Sequence, residues 1–462
     1  MKFIGRKEEL NYIKKTITKD HFQAIIIYGR RRLGKTELAK ESLKDFQNPV
    51  IFFQCRETNE MDNVISLTDK ISSTLDNPFL HFSSLYETLK FVFEYSINNK
   101  VCLVIDEYPY LREIIDGCDS IIQSLIDEYL NKANLKLFLL GSSISVMEDV
   151  LSHNSPLYGR FTQTILLKEM DYYDSSLFYP SFSPEDKVAL YSVFGGVPFY
   201  NAQINEKESV RENIIRLISG SFASLKEFIE TYIKSELRKM NNANIVFEII
   251  ALGTFHFSDI LSKSHIESSS ALSQILTKLI KMDLIENVAP INDKTNKQKS
   301  GYRIKDNCLK FYYQFIFRNI SSHNILDDDI FYENFIEEDF NKKYVPKCFE
   351  EISKQYLIRM NKNGLIKPLL LDIGTYWYDD SKNKVNGQFD IVSRTKDGYV
   401  FFECKYSKNK ITNQIIEQEI EQIKNTGLNP IRYGFFSKSG FDVEDTNNYL
   451  LYKLEDLYLV EK

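Results

Sequence analysis

Short, almost continuously apolar runs alternate with amphipathic stretches in the first third of the chain. The runs lie at residues 24–28, 50–54, 101–105 and 136–140. Strands that are apolar at nearly every position are buried on both faces, which is typical of a parallel sheet covered by helices. The pattern therefore predicts an α/β fold with a parallel sheet for this part of the chain.

Beyond this region the pattern changes three times. Residues 171–240 are mainly helical, residues 241–340 have helix–turn–helix character, and residues 341–462 return to mixed helix and strand. A length of 462 residues suggests about three domains at roughly 150 residues each. Together with residues 1–170, the pattern predicts an α/β multidomain protein with four segments.

Composition places the chain among ordinary globular proteins. Hydrophobic residues make up 43% and charged residues 26% of the sequence, and no apolar run reaches the ~20 residues of a membrane span. The N-terminus lacks the apolar stretch of a signal peptide, so we expect a cytoplasmic protein with no membrane partner. Six scattered cysteines argue against zinc and disulfide frameworks. The net charge of −6 leaves local basic patches as the source of any nucleic-acid binding.

A glycine-rich motif follows the first apolar run. Its residues are Gly29, Arg30, Arg31, Arg32, Leu33, Gly34, Lys35 and Thr36, and Glu37 continues it as a helix. A strand that runs into G-x-x-x-x-G-K-T and then a helix is the context in which this motif binds nucleotide phosphates. Backbone N–H groups and the helix N-terminus wrap the phosphates, Lys35 reaches the β- and γ-phosphates, and Thr36 binds Mg²⁺. The motif predicts ATP and Mg²⁺ as cofactors.

Two acidic residues end the third apolar run. Asp106 and Glu107 follow residues 101–105 directly, at the strand edge where open α/β sheets bind ligands. We expect Asp106 to hold Mg²⁺, mostly through water, and Glu107 to orient or activate the attacking water. With the phosphate-binding motif upstream, this pair predicts hydrolysis of the bound nucleotide.

Polar residues also follow the fourth apolar run. Ser142, with Ser143 as second choice, stands at a strand end from which it can contact the γ-phosphate or the water, whereas a simple turn is the alternative interpretation. Arg160 is a candidate to stabilise transition-state charge, either in cis or in a neighbouring subunit. For Arg160 the alternative is a surface or salt-bridged arginine.

Together these motifs resemble the AAA+/STAND-type ATPases, and more narrowly the archaeal-type ATPase family. The box at residues 3–10, which contains Gly5 and Arg6, is similar to one that precedes the phosphate-binding loop in such proteins and lies near the adenine. Residues 195–198 resemble the glycine–proline motif of their helical lid, in which Pro198 would pack near the base. The resemblance covers about residues 1–330. It implies a P-loop ATPase core at residues 1–170 and a helical lid at residues 171–240.

The segment at residues 241–340 looks like a winged helix. Its predicted elements are helices at 244–252, 258–263 and 268–282, with Ser268 as a cap, and strands at 284–288 and 301–304. Lys294, Lys297 and Lys299 lie between the strands. One interpretation puts the third helix in a DNA groove and the lysines on phosphates. The other is a structural winged helix that packs against the ATPase core.

An acidic–lysine set lies near the C-terminus. Asp397-Gly398 predicts a hairpin turn between two strands, and Glu403 and Lys405 share one strand face because they are two residues apart. Asp390 lies on the paired strand. Two carboxylates can share a divalent cation while the lysine positions a water or steadies charge on a phosphate, which suits metal-assisted phosphodiester hydrolysis.

This set resembles the restriction-endonuclease-like fold, which archaeal-type ATPases often carry at the C-terminus. The resemblance covers about residues 341–462 and implies that Asp390 and Glu403 bind a metal ion and act in catalysis with Lys405. It also places Glu350, rather than Glu351, on an opening helix where a glutamate can join the metal site. Gln388 departs from the acidic residue often found two places before the aspartate, so a metal-binding but inactive domain is an open alternative.

The leading hypothesis is an ATP-hydrolysing switch that controls a C-terminal nuclease-like domain acting on DNA. The alternative is a regulatory or scaffold ATPase without nuclease activity, whose winged-helix and C-terminal segments bind DNA or protein. The partners implied are ATP, DNA, and either the chain itself or another protein.

Overall fold

A computed structural model of the chain describes residues 3–237, 242–296, 299–380, 385–426, 428, 430–443 and 449–459. The chain divides into two compact units. The first comprises Met1–Glu169 and Lys281–Asp283, and the second comprises Met170–Ile280 and Leu284–Lys462. The boundaries predicted near residues 170, 240 and 340 stay predictions.

The first unit contains one five-stranded parallel sheet with the strand order β2-β3-β4-β1-β5. The strands are β1 (Gln23–Tyr28), β2 (Val50–Gln54), β3 (Val101–Asp106), β4 (Leu135–Gly141) and β5 (Gln163–Leu166). The helices are α1 (Lys7–Ile17), α2 (Lys35–Leu43), α3 (Glu60–Leu75), α4 (Leu85–Asn98), α5 (Tyr108–Ile114), α6 (Cys118–Tyr129) and α7 (Ile144–Val150). Every residue of β1, β3 and β4 is buried, as expected of central strands with both faces covered.

The four predicted strands are confirmed to within one residue at each end. The sequence analysis does not predict β5, the edge strand next to β1. It has four residues that alternate between buried and exposed, a pattern too short to distinguish from a loop. The helices that precede β3 begin at side-chain caps, because Asn59 accepts a hydrogen bond from the backbone N–H of Asp62, and Ser84 accepts one from that of Glu87.

The second unit is helical in its first half. Its helices there are α8 (Tyr172–Ser176), α9 (Pro184–Phe194), α10 (Pro198–Asn201), α11 (Val210–Ile214), α12 (Ser224–Leu237), α13 (Ala243–Ala251), α14 (Phe257–Ser264), α15 (Ser269–Lys281), α16 (Asn307–Phe311), α17 (Ile320–His323), α18 (Asp328–Phe335) and α19 (Glu337–Asp339). π-Helical turns at Ile215–Ser219, Tyr312–Ile316 and Phe340–Tyr344 and a 3₁₀ turn at Phe317–Asn319 continue several of them. Within the described residues, none of these helices or any other has the length and apolar character needed to cross a membrane.

A two-stranded antiparallel hairpin, β6 (Ile285–Val288) and β7 (Gly301–Ile304), follows α13, α14 and α15. All five elements agree with the predicted helices and strands to within about two residues. Ser268 caps α15 as expected, because its hydroxyl oxygen accepts a hydrogen bond from the backbone N–H of Ala271 at 3.1 Å. A DNA-binding role for this segment stays a prediction.

The C-terminal half of the second unit is built on a five-stranded mixed sheet. Its strands are β8 (Asp372–Asp380), β9 (Val385–Arg394), β10 (Tyr399–Lys405), β12 (Arg432–Ser437) and β14 (Tyr449–Lys453), in the order β14-β12-β10-β9-β8. The other elements are α20 (Val345–Lys362), α21 (Asn413–Asn425), the short pair β11 (Ile411–Thr412) and β13 (Phe441–Asp442), and a 3₁₀ turn at Leu454–Tyr458. β8, β9 and β10 are antiparallel, whereas β10, β12 and β14 are parallel, with α21 in the crossover between β10 and β12.

Candidate functional site

The glycine-rich motif forms the loop between β1 and α2. Gly29 and Gly34 have φ angles of 147° and 87°, in the region that favours glycine. A side chain at Gly29 would place its Cβ 2.3 Å from the carbonyl oxygen of Leu167. Both glycines therefore allow a backbone conformation that other residues rarely adopt. Gly29 also allows the loop to approach the segment after β5 closely.

Lys35 lies inside this loop with a relative exposure of 6%. Its ammonium donates hydrogen bonds to the carbonyl oxygens of Gly29 at 2.8 Å and Arg30 at 3.0 Å. Burial lowers the pKa of Lys35 to about 8, against the opposing effect of the carboxylates of Glu107 and Asp106. A cation held at the centre of the loop is suited to the β- and γ-phosphates of a nucleotide.

Thr36 and Asp106 are in contact at the carboxyl edge of the sheet. Thr36 lies on α2, which follows β1, and Asp106 ends β3, whereas β4 lies between β1 and β3 in the sheet. The Thr36 hydroxyl donates a hydrogen bond to Oδ2 of Asp106 at 2.8 Å, and the backbone N–H of Glu107 donates to Oδ1 at 3.0 Å. Asp106 is buried, and this burial raises its pKa. A hydroxyl and a carboxylate at one point are oxygen donors of the kind that Mg²⁺ prefers, so these residues fit the implied cation.

Glu107 and Ser142 also meet. The backbone N–H and the hydroxyl of Ser142 both donate to Oε2 of Glu107, at 3.2 Å and 2.8 Å. A cavity of about 650 Å³ opens beside this pair, and Arg31, Tyr110 and Ser143 also contribute to its lining. The strand ends thus bring together residues that are far apart in the sequence.

The remaining loop residues are held by contacts within the first unit. Arg30 forms an ion pair with Glu169 at 3.2 Å, and Arg31 donates a hydrogen bond to the Tyr110 hydroxyl at 3.3 Å. Leu33 is buried, whereas Glu37 is exposed on α2 and pairs with Lys40 at 3.3 Å. Arg32 is exposed and has a left-handed backbone.

The box that contains Gly5 and Arg6 lies next to the segment after β5. Both residues have positive φ angles, and Arg6 is the N-cap residue of α1. The Arg6 guanidinium donates to the carbonyl oxygen of Lys168 and pairs with Glu9 at 3.3 Å. A contact with adenine stays a prediction for this box, as it does for Pro198, which lies in the second unit at the start of α10.

Arg160 forms a two-point ion pair with Asp127. Its Nε and Nη2 donate to the two carboxylate oxygens at 2.9 Å and 2.8 Å, and Nη1 donates to the carbonyl oxygen of Pro156 at 2.8 Å. This is the salt-bridged arrangement that the sequence leaves open as the alternative for Arg160. A role in transition-state stabilisation would require Arg160 to leave Asp127.

Sequence reasoning does not identify the tyrosine and ion-pair network behind Glu107. The Tyr108 hydroxyl donates a hydrogen bond to Asp119. Arg112 forms ion pairs with Asp119 at 2.9 Å and with Asp149 at 2.5 Å. These contacts tie α5 to α6 and α7. The nearest signal in the sequence is that Tyr108 directly follows the acidic pair.

In the second unit, Asp390 and Glu403 occupy neighbouring strands. Each is the next residue beyond the antiparallel pair of Ile391 with Phe402, which is the last in the register of β9 and β10. Lys405 donates to Glu403 at 2.9 Å and to Glu419 of α21 at 2.6 Å. Glu419 is a member of this set that sequence reasoning does not identify, although it lies in the predicted amphipathic helix.

Glu350 of α20 is electrostatically coupled to the same set. Burial, followed by the charge of Asp390, raises the pKa of Glu350 to about 7, and Glu403 adds to the effect. Burial also raises the pKa of Glu403, which Lys405 opposes. The carboxylate oxygens of this set are therefore of the type that binds a divalent cation.

The described residues nevertheless contain no group of three or more histidine, cysteine, aspartate or glutamate side chains that could hold a metal ion. Binding of one cation by Glu350, Asp390 and Glu403 therefore stays a prediction. The Lys405 ammonium donates a hydrogen bond to the carboxylate of Glu403, and the side-chain amide of Gln388 donates one to Asp390 at 3.2 Å.

Two of the predicted phosphate-binding lysines near the hairpin of β6 and β7 are paired with acids. Lys294 forms an ion pair with Asp372 at 2.5 Å and Lys299 with Asp293 at 3.0 Å. Lys297 lies outside the described residues. The pairing reduces the positive charge that Lys294 and Lys299 present.

Comparison with known proteins gives two family matches. Residues 3–204 match a family described as an ATPase domain predominantly from Archaea. Residues 312–422 match a family described as archaeal and bacterial proteins of unknown function. The first match spans nearly all of the first unit and the start of the second.

The chain is similar to proteins of Methanocaldococcus jannaschii and Pyrococcus abyssi. An uncharacterized protein of Methanocaldococcus jannaschii is 28% identical over 461 residues, which covers 98% of this chain and 99% of that protein. An uncharacterized ATP-binding protein of the same organism is 44% identical over 43 residues, 9% of this chain and 73% of that protein. The solved structure of a Walker-type ATPase of Pyrococcus abyssi is 19% identical, covers 67% of this chain and 96% of that chain, and has a TM-score of 0.53, a likeness in fold.

Proposed function

We propose that the first unit binds ATP with Mg²⁺ and hydrolyses it, and the match of residues 3–204 to a family described as an ATPase domain predominantly from Archaea supports this proposal. The observation that carries the proposal is the 2.8 Å hydrogen bond between Thr36 and Asp106. It joins the phosphate-binding loop to the acidic end of β3, so both proposed Mg²⁺ donors are at one point. Lys35 and the backbone N–H groups of the loop bind the phosphates.

Each residue then has a distinct part in hydrolysis. Thr36 and Asp106 would hold Mg²⁺, which would supply positive charge to the phosphates. Glu107 orients a water and accepts its proton, and the water oxygen bonds to the γ-phosphorus as the bond to the bridging oxygen of ADP breaks. Ser142 donates to the γ-phosphate or to Glu107. ADP and inorganic phosphate leave as products.

Phosphate release by the purified chain is expected to depend on both ATP and Mg²⁺. EDTA should abolish it, and Thr36→Ala should lower kcat by about tenfold or more because a donor to the cation is lost. A phosphate-release assay measures both effects, with Thr18→Ala as the matched control because the exposed Thr18 hydroxyl donates to the backbone carbonyl oxygen of Lys15 at 2.9 Å. Equal rates with and without EDTA would contradict the proposal.

The second unit suggests a further function, metal-dependent cleavage of DNA under control of the nucleotide state. The observation that favours it is that, in addition to burial, the charges of Asp390 and Glu403 both raise the pKa of Glu350, and that the charge of Asp390 also raises the pKa of Glu403. These carboxylates therefore form one acidic patch, and Lys405 donates a hydrogen bond to Glu403 within it. ATP and ADP would bias two conformations through their different contacts to the γ-phosphate site. The competing proposal is a regulatory or scaffold ATPase that binds DNA, a second copy or another protein without cutting DNA.

A cleavage assay separates these two proposals. Plasmid, linear and single-stranded DNA are incubated with the full chain, Mg²⁺ or Mn²⁺, and with or without ATP. The nuclease proposal predicts cleavage that falls by at least about 100-fold in Glu403→Ala, since a metal donor is lost, and persists in Glu421→Ala, an exposed glutamate of α21. Absence of cleavage under every condition would favour the regulatory ATPase.

A further inference from the structure

Two arginines that could stabilise charge at the proposed hydrolysis site are already paired with acids. Both carboxylate oxygens of Asp127 accept hydrogen bonds from Arg160, the candidate that the sequence suggests. Arg112 lines the cavity of about 650 Å³ beside this site and forms ion pairs with Asp119 and Asp149. A guanidinium that is paired with a carboxylate has to lose that partner before it can bind a phosphate, which reduces its contribution.

Arg31, the third residue of the phosphate-binding loop, is arranged differently. Its side chain is exposed and lines the same cavity as Glu107 and Ser142. Its Nη2 donates a hydrogen bond to the Tyr110 hydroxyl at 3.3 Å, and no carboxylate among the described residues forms an ion pair with it. Because this contact is with a neutral group, the positive charge of Arg31 remains available to an anion in the cavity.

Tyr110 is a fixed anchor for this guanidinium. It lies in the first turn of α5, which begins after Glu107, an N-cap residue with a left-handed backbone. The tyrosine side chain is half-buried and packs against the hydrophobic core of the first unit. A ring held in this way presents its hydroxyl at a defined place in the cavity.

The electrostatic effect of Arg31 on Lys35 indicates what this part of the site accepts. Burial is the main effect that lowers the pKa of Lys35, and the positive charge of Arg31 adds to it. Like charges close together repel each other, and an anion between them relieves the repulsion. Lys35 is the residue proposed to bind the β- and γ-phosphates, so the γ-phosphate of a bound nucleotide is the anion that the loop would bring there.

We propose that Arg31 is a catalytic residue of ATP hydrolysis that contacts the γ-phosphate in cis, and that Tyr110 is a positioning residue that orients its guanidinium. This inference rests on the proposed ATPase function and adds two residues to its mechanism. The water oxygen bonds to the γ-phosphorus as the bond to the bridging oxygen of ADP breaks, and negative charge is then spread over the outer oxygens of the γ-phosphoryl group.

Arg31 stabilises this charge by hydrogen bonding and transfers no proton. Its planar guanidinium donates two parallel hydrogen bonds to two of the outer oxygens. A guanidinium has five N–H groups, so Nη2 keeps its hydrogen bond to Tyr110 at the same time. The existing contact therefore orients the side chain without competing with the phosphate.

Arg31→Ala should lower kcat by at least about 100-fold, because a cation that contacts the transferred phosphate acts mainly in the transition state. The affinity for ADP with aluminium fluoride, which mimics that state, should fall by at least about 100-fold. The Kd for ADP alone should stay within about threefold, and that for the non-hydrolysable imido analogue of ATP should rise by no more than about tenfold. Phosphate release gives kcat, and calorimetry on the full chain with Mg²⁺ gives the three Kd values.

A double-mutant cycle tests the part assigned to Tyr110. Tyr110→Phe removes the hydroxyl but keeps the ring that packs against the core, and it should lower kcat by about three- to tenfold with the KM for ATP unchanged. In an Arg31→Ala background the same change should have no further effect, because no guanidinium is left to position. A purely structural role for the hydroxyl would lower kcat equally in both backgrounds, and that result would overturn the assignment of Tyr110.

The matched control is Arg318→Ala, which removes an exposed arginine of the second unit and should hydrolyse ATP at the wild-type rate. Arg31→Lys keeps a positive charge but lacks the planar fork, and its kcat should remain at least about tenfold below that of the wild type. This variant takes the place of Arg31→Ala if thermal melting shows that the alanine variant does not fold.

Wild-type kcat in Arg31→Ala would overturn the inference. A higher KM with an unchanged kcat would also overturn it, since that result describes binding in the ground state alone. Wild-type chain that hydrolyses no ATP would refute the proposed ATPase function itself, and the inference with it. Hydrolysis by the wild type that does not depend on Arg31 refutes the inference alone.

Discussion

Lys35→Ala is expected to weaken ATP binding by at least about 100-fold, because it removes the only ammonium at the centre of the described phosphate-binding loop. The loss corresponds to one or two charge-assisted hydrogen bonds to phosphate oxygens. Lys35 is almost fully buried inside the loop, and its ammonium donates to the carbonyl oxygens of Gly29 and Arg30. Titration with ATP in the presence of EDTA, which prevents turnover, and then with Mg²⁺ and the imido analogue, measures the change.

The control for this variant is Lys44→Ala, an exposed lysine just beyond α2 whose side chain pairs with Glu41. It removes the same charge from the opposite end of α2 and should leave ATP binding unchanged within about twofold. Because Lys35 also bonds to Gly29 and Arg30, a loss of folding has to be separated from a loss of affinity. Lys35→Met, which keeps the apolar stem, should melt close to the wild-type temperature and still fail to bind ATP tightly. Tight binding by Lys35→Met would refute the assignment.

Glu107→Gln is expected to retain nucleotide binding and to lose turnover, with kcat lower by about 10²–10⁴. The amide keeps the size of the side chain and an oxygen that accepts from Ser142, but it is not a base. Loss of a negative charge near the γ-phosphate should leave the affinity for ATP equal or higher. Single-turnover hydrolysis and equilibrium binding, measured on the same preparation, separate the two effects.

The matched control is Glu113→Gln, an exposed glutamate of α5, which should hydrolyse ATP at close to the wild-type rate. Hydrolysis by Glu107→Gln at the wild-type rate would show that Glu107 neither orients nor activates the water. A parallel fall in binding and turnover would instead indicate a structural role for the left-handed turn at Glu107.

The P-loop core was open to prediction because its signals are local. A buried strand, a glycine-rich loop and a helix are contiguous in the sequence, and their meaning depends on residues within about fifteen positions of one another. The match of residues 3–204 to a family described as an ATPase domain supports the prediction of an ATPase domain. The short edge strand β5 is not predicted, since four alternating residues carry too little periodicity.

The C-terminal set shows the limit of the same reasoning. Strand alternation and the hairpin turn correctly predict that Glu403 and Lys405 share a face and that Asp390 lies on the next strand. The alternation does not reveal that Glu419, from a helix fourteen residues away, completes the pairing of Lys405. Nuclease activity, the winged helix and DNA binding stay predictions.

The amino-acid sequence by itself determined the phosphate-binding loop, the acidic end of β3 and the parallel strands that carry them, because these depend on local propensity and short spacing. Only the tertiary structure decided which side chains bond to one another. In it, Thr36 is hydrogen-bonded to Asp106 and Ser142 to Glu107, and Arg160 forms an ion pair with Asp127. The physical reason is that hydrogen bonds and ion pairs form between groups about 3 Å apart in space, and the strand order of the sheet, which no local pattern encodes, sets those distances.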